Sequence, residues 1–282
     1  MKKLALLLSI VWLQGIVHAQ DSLRVMSFNI RYNNPDDGIN AWPNRKEMVA
    51  QQIIDHQVDL LGVQEALHDQ IEDLNRLLPG FAQVGVGRDD GKHAGEYAAI
   101  YYNKARFKLI KSGNFWLSQT PEVPGSIGWD ADQTRIVTWA LFKDLRTGKR
   151  FWHFNTHYDH RGKEARKQSS KLLLNRMAAL AKKDPVVVTG DFNASPVEEP
   201  IQILLDSQNR YHLTNTASVS HTPPIGENVG LNGFKGVSRA RYPIDFVFVK
   251  GKWTVLYHHT ISEPKDGRYS SDHLPVLATL IR

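Results

Sequence analysis

A chain of 282 residues, 41% hydrophobic and 23% charged, has ordinary globular composition and is long enough to bury a sizeable core. With no cysteine it excludes disulfides, thiol catalysis and cysteine-ligated zinc. The formal net charge of +6 suits a polyanionic substrate but is too mild to require one.

The chain opens on a basic Met1-Lys2-Lys3, continues through a mostly apolar run at 4–17, and reaches small residues around Ala19. That tripartite pattern predicts a cleaved secretory signal peptide over 1–19 and a secreted or periplasmic protein whose single domain is 20–282. Losing Lys2 and Lys3 leaves a net charge of +4. No later apolar run is long enough to span a bilayer.

Residues 23–30 (LRVMSFNI) read as a buried strand. Helix follows at 44–56, with Asn44 as N-cap and Met48, Val49 and Ile53 on one face. The run 58–64 (VDLLGVQ) is a strand apolar enough to be covered on both faces. A second helix at 69–78 is stopped by Pro79-Gly80. Strands are predicted at 97–102, 115–118, 135–142 and 150–156, the last two joined by a hairpin with Gly148 in a left-handed position. Residues 163–183 form a long amphipathic helix with Leu172, Leu173, Met177 and Leu180 inward. Strand 185–189, helix 199–206 and strands at 244–249, 253–258 and 274–280 complete the chain. Many strands with helices between them fit an α/β fold of two face-to-face sheets with helices on the outer faces. Two long irregular stretches, 119–133 and 217–243, are expected to border the site, since long loops in a compact domain tend to be functional.

Polar residues suited to metals and phosphates recur just after these apolar strands. Asn29 ends the first, Glu65 follows VDLLGVQ, and His157 and Asp159 follow FWHFNT. Asp191 and Asn193 follow PVVVTG, Asp245 lies in IDFVFV, and Asp272-His273 precedes LPVLATL. Each alone is ordinary turn or capping chemistry. Together they suit phosphoryl hydrolysis, in which a hard divalent cation takes oxygen ligands from Asn29, Glu65 and Asp272. A His beside an Asp activates water, and neutral donors such as Asn193 hold the non-bridging oxygens.

The motifs MSFNIR (26–31), GVQEA (62–66), GEYAAIYY (95–102), FNTHYDH (154–160), GDFNASP (190–196), PIDFVFV (243–249) and SDHLPV (271–276) carry a resemblance. The chain resembles the endonuclease/exonuclease/phosphatase superfamily, in a secreted bacterial-type form. The resemblance implies a deoxyribonuclease I-like, two-sheet α/β sandwich with the site at one end of the sheets. It also implies Mg²⁺ or Mn²⁺ held by Asn29, Glu65 and Asp272, a His273–Asp245 dyad, and Asp191 acting on the attacking water. Asn193 would bind phosphate, His157 would be the second histidine with Glu96 as its carboxylate partner, and Arg31 would be a phosphate contact.

The segment NTHYDHRG departs from the family's shorter pattern by adding Asp159, His160 and Arg161. These either read substrate hydroxyls or a terminal phosphate, or cap the helix at 163. Arg135 and Trp129 either line the pocket or anchor their loop. Basic residues are scattered rather than striped, which favours a small soluble phosphoester or a nucleotide end over duplex DNA. No obligate protein partner is expected. A non-hydrolytic phosphate-ligand binding protein on the same fold and a two-carboxylate glycosidase are the competing readings. The latter leaves the His–Asp pairs and asparagines idle.

Overall fold

In chain order the strands and helices are Leu23–Asn29 (β1), Lys46–Asp55 (α1), Leu60–Gln64 (β2), His68–Leu77 (α2), Phe81–Val84 (β3), Ile100–Asn103 (β4), Phe107–Trp116 (β5), Ile136–Asp144 (β6) and Arg150–His157 (β7). Lys163–Ala181 (α3), Val186–Asp191 (β8), Glu199–Leu205 (α4), Thr214–Asn215 (β9), Asp245–Lys250 (β10), Thr254–Thr260 (β11) and Val276–Ile281 (β12) follow. The computed structural model describes residues 22–236 and 242–282; the expected signal peptide and part of the 217–243 stretch lie outside the described residues. Among the described residues no helix is long and apolar enough to cross a membrane.

The strands form two six-stranded sheets, ordered β11-β12-β1-β2-β4-β3 and β5-β6-β7-β8-β10-β9. Each has a central parallel pair, β1 with β2 and β7 with β8, and antiparallel neighbours outside it. Helix α1 makes the crossover between β1 and β2, and α3 that between β7 and β8, because parallel strands need a long connection. The central strands are buried along nearly their whole length, as their continuous apolar runs require.

Three apolar layers hold the sandwich together. Between the sheets pack Val25, Leu60, Phe142, Phe151, Val187, Val247 and Leu280. On the outer face of the first sheet, Val49 and Ile53 of α1 and Ile71 and Leu74 of α2 cover Met26, Phe28 and Val63. On the outer face of the second, Leu173 and Met177 of α3 and Ile201 and Leu204 of α4 cover Phe154, Val188 and Phe248. Each such fully buried side chain is worth about 1.5–3 kcal/mol relative to exposure. The architecture is therefore the expected two-sheet α/β sandwich with helices outside.

The inter-sheet layer also holds polar residues, and these are joined to one another. Asn155 donates to the carbonyls of Val63 and Ala99 at 2.8 and 2.9 Å, crossing from one sheet to the other. Its Oδ1 accepts from Gln64 and Thr189 at 2.7 and 2.9 Å, and the Thr189 hydroxyl meets His153 at 2.8 Å. Gly62 faces this network, because a Cβ there would fall 2.0 Å from Thr189 Oγ1.

Several sequence expectations are corrected at the sheet edges. The expected strand at 115–118 is the end of the much longer β5, whose exposed, lysine-bearing first half hides its strand character. Strand β3 was not expected at all; it too is an edge, and partly exposed throughout. Asn44 does not cap α1: it closes a 3₁₀ turn, and its amide donates to the Gly38 carbonyl at 3.2 Å.

Candidate active site

Register brings the polar strand ends together. His157 lies opposite Asp191 across β7 and β8, and Asp245 lies opposite Asp191 across β10 and β8, so three adjacent strands place these groups on one rung. The first sheet faces them with Asn29 at the end of β1, Glu65 just past β2, and Asp272-His273 just before β12. Asn29 Nδ2 joins the two halves, donating to Glu65 Oε1 at 2.9 Å and to Asp191 Oδ2 at 3.0 Å. The long loop 119–133 lies at this end of the sandwich, with the Gln133 N–H donating to Asp159. The described part of 217–243 first runs along β11, with the His221 N–H donating to the Val255 carbonyl at 2.9 Å, and reaches this end only later, where the Asn232 N–H donates to the Asp272 carbonyl at 2.8 Å.

The turns that carry these groups are strained. Arg31, Glu65 and Asn193 all have left-handed backbones, with φ of 58°, 63° and 47°. Such conformations cost a non-glycine residue on the order of 1–2 kcal/mol, and they collect at functional sites. Local hydrogen bonds hold them: Arg31 N–H to Asn29 Oδ1 at 3.0 Å, Tyr32 N–H to Glu65 Oε2 at 3.1 Å, and Asn193 N–H to Asp191 Oδ1 at 2.9 Å.

The two histidines of the site have opposite electrical character. His273 Nδ1 is 2.9 Å from Asp245 Oδ2 and 3.8 Å from Asp191 Oδ2. Burial disfavours its charge, but these two carboxylates outweigh burial and hold the imidazolium well above its ordinary range. His157 is pushed down to about 3, first by burial and then by the neighbouring Arg135, and is neutral. Its Nε2 accepts from Asn193 Nδ2 at 3.0 Å, which puts the ring proton on Nδ1, 3.7 Å from Glu96 Oε2. Histidines held apart in this way suit one group that delivers charge or a proton and one that orients. The second amide proton of Asn193 goes to the Tyr158 carbonyl at 3.0 Å, so its amide nitrogen is already engaged.

Glu65, Asp191 and His273 each place one ligand-type atom within 4.8 Å of the others. Burial pushes the carboxyl groups of Asp191 and Asp272 up, and the negative charge of Asp245 and Glu65 respectively adds to this. Crowded carboxylates of this kind gain from a cation among them. The oxygens of Glu65 and Asp191 fit a hard divalent ion, with Asp272 beside Arg31 at 3.9 Å on the same rim. Asn29 turns its amide nitrogen to the cluster; it would offer Oδ1 to a cation only with the ends of the amide exchanged.

The residues expected to contact substrate divide. Arg31 lies at the site, its guanidinium bonded to both oxygens of Asp37 at 3.0 and 3.1 Å; burial opposes its charge, but the carboxylates of Asp37, Asp272 and Glu65 raise its pKa. Glu96 lies beside His157 and accepts from Arg88 at 2.6 Å. Of the two roles open to Asp159, its surroundings favour the second: it is 1% exposed, and its oxygens are occupied by the N–H groups of Arg161, Gly162 and Gln133. It therefore shapes the turn into α3. Asp130 caps that helix through the Ala165 N–H at 2.6 Å. Arg135, 4% exposed, pairs with Asp159 at 3.4 Å and reaches His160 Nδ1 at 3.1 Å, so it lies beneath the surface behind His157. Arg161 projects into solvent and pairs with Asp132 at 3.1 Å.

Three features were missed from the sequence: Arg88 behind Glu96, the buried Arg45, and the Gln64–Asn155–Thr189 network. Gln64 and Asn155 sit inside the motifs GVQEA and FNTHYDH and were open to notice there. The arginines carry no such local signal.

Residues 26–273 match the Endonuclease/Exonuclease/phosphatase family. An uncharacterised protein of Acanthamoeba polyphaga mimivirus is 28% identical over 278 residues, spanning 90% of this chain and 98% of that one. Among solved structures, an endonuclease/exonuclease/phosphatase from Bacteroides vulgatus superposes with a TM-score of 0.87 at 39% identity, covering 92% of this chain and 98% of that one. A mannosyl-6-phosphatase of Bacteroides thetaiotaomicron superposes at 0.86 with 35% identity, covering 92% of this chain and 100% of that one.

Proposed function

The chain belongs to the Endonuclease/Exonuclease/phosphatase family, and from that premise we propose that it is a divalent-metal-dependent phosphoesterase acting on a small soluble phosphomonoester of the sugar-phosphate class. The observation that carries the reading is the His273–Asp245 pair at 2.9 Å, set against Asp191 and Glu65 where the two sheets meet. The substrate class is supported by the 35% identity, over 92% of the chain, to a protein described as a mannosyl-6-phosphatase.

In this reading Glu65 and Asp191, with Asp272 at the rim and the buried Asn29 once the ends of its amide are exchanged, would hold Mg²⁺ or Mn²⁺. The bound ion supplies a Lewis acid that neutralises charge on the phosphoryl oxygens. Asp191 orients the attacking water, since its Oδ2 faces both halves of the site. Cationic His273, fixed by Asp245, stabilises the charge gathering on the phosphoryl group or delivers a proton to the leaving oxygen. Neutral His157 and Asn193 form a linked pair beside Asp191; with both amide protons engaged, Asn193 would hold a non-bridging oxygen only by releasing His157 Nε2 or the Tyr158 carbonyl. Arg31 adds a fixed positive charge on the Asp272 side. Export by the leader at 1–19 belongs to the same proposal, and N-terminal sequencing of the protein recovered outside the cytoplasm checks it.

Phosphate release from sugar 6-phosphates, a chromogenic monoester, a chromogenic diester and a nucleotide, each with Mg²⁺ and with chelator, tests the function. Monoester hydrolysis abolished by chelator is expected. Release that ignores the chelator, or a preference for the diester, would overturn the metal or the substrate assignment respectively.

A further inference from the structure

Arg45 is 0% exposed, and among the described residues its guanidinium meets only carbonyl oxygens. Nε donates to Asn40 O at 2.8 Å, Nη2 to Arg31 O at 2.7 Å, and Nη1 to Ser270 O at 3.1 Å and to Ile30 O. The planar group is also near the rings of Trp42, at 5.1 Å, and Phe234, at 5.7 Å. Burying a cation with no carboxylate bonded to it is costly, even with Asp272, Asp37 and Glu65 acting on it through space, and an apolar residue of similar shape would suit a purely structural position better.

The four carbonyls belong to three separate segments. Ile30 and Arg31 leave β1; Asn40 ends the following turn; Ser270 stands two residues before Asp272. The Arg31 carbonyl is gripped twice, by Arg45 and by Gln70 Nε2 at 2.9 Å, where its backbone is left-handed. Arg31 and Asp272 thus project from two segments that a single guanidinium ties together, and their side chains stand 3.9 Å apart.

We propose that Arg45 is a positioning residue for phosphate binding: it ties the Ile30–Arg31 turn to the Ser270 segment and so sets where the Arg31 guanidinium and the Asp272 carboxylate stand. The inference rests on the reading of Arg31 as a phosphate contact. Lysine cannot substitute, because a point-like ammonium has no planar fork with which to span four carbonyls on three segments.

Inorganic phosphate is the probe, titrated by calorimetry in Mg²⁺ buffer into the wild type, Arg31→Ala, Arg45→Lys and the double variant, with thermal unfolding of each. Losing a charged hydrogen-bond donor in Arg31→Ala should weaken phosphate binding about tenfold or more. Arg45→Lys, which keeps the charge, should weaken it nearly as much, and the double variant should be no weaker than Arg31→Ala. Arg45→Ala, with its affinity partly restored by millimolar guanidinium ion, is the second arm. Multiplicative losses in the double variant would overturn the inference. So would Arg45→Lys with wild-type affinity and only a lowered Tm. An Arg31→Ala protein that binds phosphate normally would instead overturn the reading of Arg31.

Discussion

Asp245 Oδ2 stands 2.9 Å from His273 Nδ1, although the two residues come from different sheets. The contact fixes the imidazole tautomer and favours its charged form. His273→Ala and Asp245→Ala should each lower turnover about a hundredfold or more. The double variant should be little worse than the poorer single one, because groups acting as a unit lose activity non-additively. Strictly multiplicative losses would break the pair. The pH profile offers a second check. The carboxylates raise His273, so its cation persists through neutrality and activity falls on the alkaline side. Asp245→Asn removes one raising charge and should move that alkaline limb downward.

Glu65→Gln replaces an anionic oxygen ligand with a neutral one while leaving volume almost unchanged. Added Mg²⁺ should raise the Tm of the wild type by mass action, and the variant should need far more Mg²⁺ for the same rise. Equal Mg²⁺ dependence of Tm and of activity in the two proteins would remove Glu65 from the metal site.

Gly62→Ala should be among the more damaging single-methyl additions. Its Cβ would fall 2.0 Å from Thr189 Oγ1 and 2.4 Å from Asn155 Oδ1, inside a network that bonds the sheets to each other. Overpacking combined with broken buried hydrogen bonds predicts a loss of about 3 kcal/mol. Denaturant unfolding checks this, and a variant within a few tenths of wild type would show that the sheets can part at no cost.

Acid should destabilise the fold through histidines buried in the neutral state. Burial pushes His153 down to about 3 and His258 to about 4, against an ordinary value near 6.5. Between those values the unfolded chain binds more protons than the native one. The stability is therefore present above pH 6.5 and lost as pH falls toward 3 or 4. For His153 the loss from pH 7 to pH 5 is about 2 kcal/mol. Urea unfolding at both pH values should show a smaller acid loss in His153→Gln; an unchanged difference would mean that His153 does not carry it.

Much of the site was legible because a strand buried on both faces announces itself, and with it the polar residue where burial ends. Asn29, Glu65 and Asp191 were found in this way. What escaped depended on partners distant in sequence. Asp159 reads as an exposed loop acid until Arg135 and the turn into α3 close around it. Arg45 looks like a solvated residue at the start of a helix until three segments converge on its guanidinium. The first half of β5 was hidden by Lys108 and Lys111, which suit a sheet edge and read as loop.

Each sheet carries half of the constellation: Asn29, Glu65, Asp272 and His273 on one, His157, Asp191, Asn193 and Asp245 on the other. Asp191, which would orient the attacking water, comes with the second sheet, while Glu65 and the cationic His273 come with the first. Competence must therefore arise at the final docking of the sheets during folding, however early each sheet forms. An intermediate with native secondary structure but unmated sheets would be inert. On the proposed function, the recovery of activity on refolding becomes a clock for the closing of the sandwich.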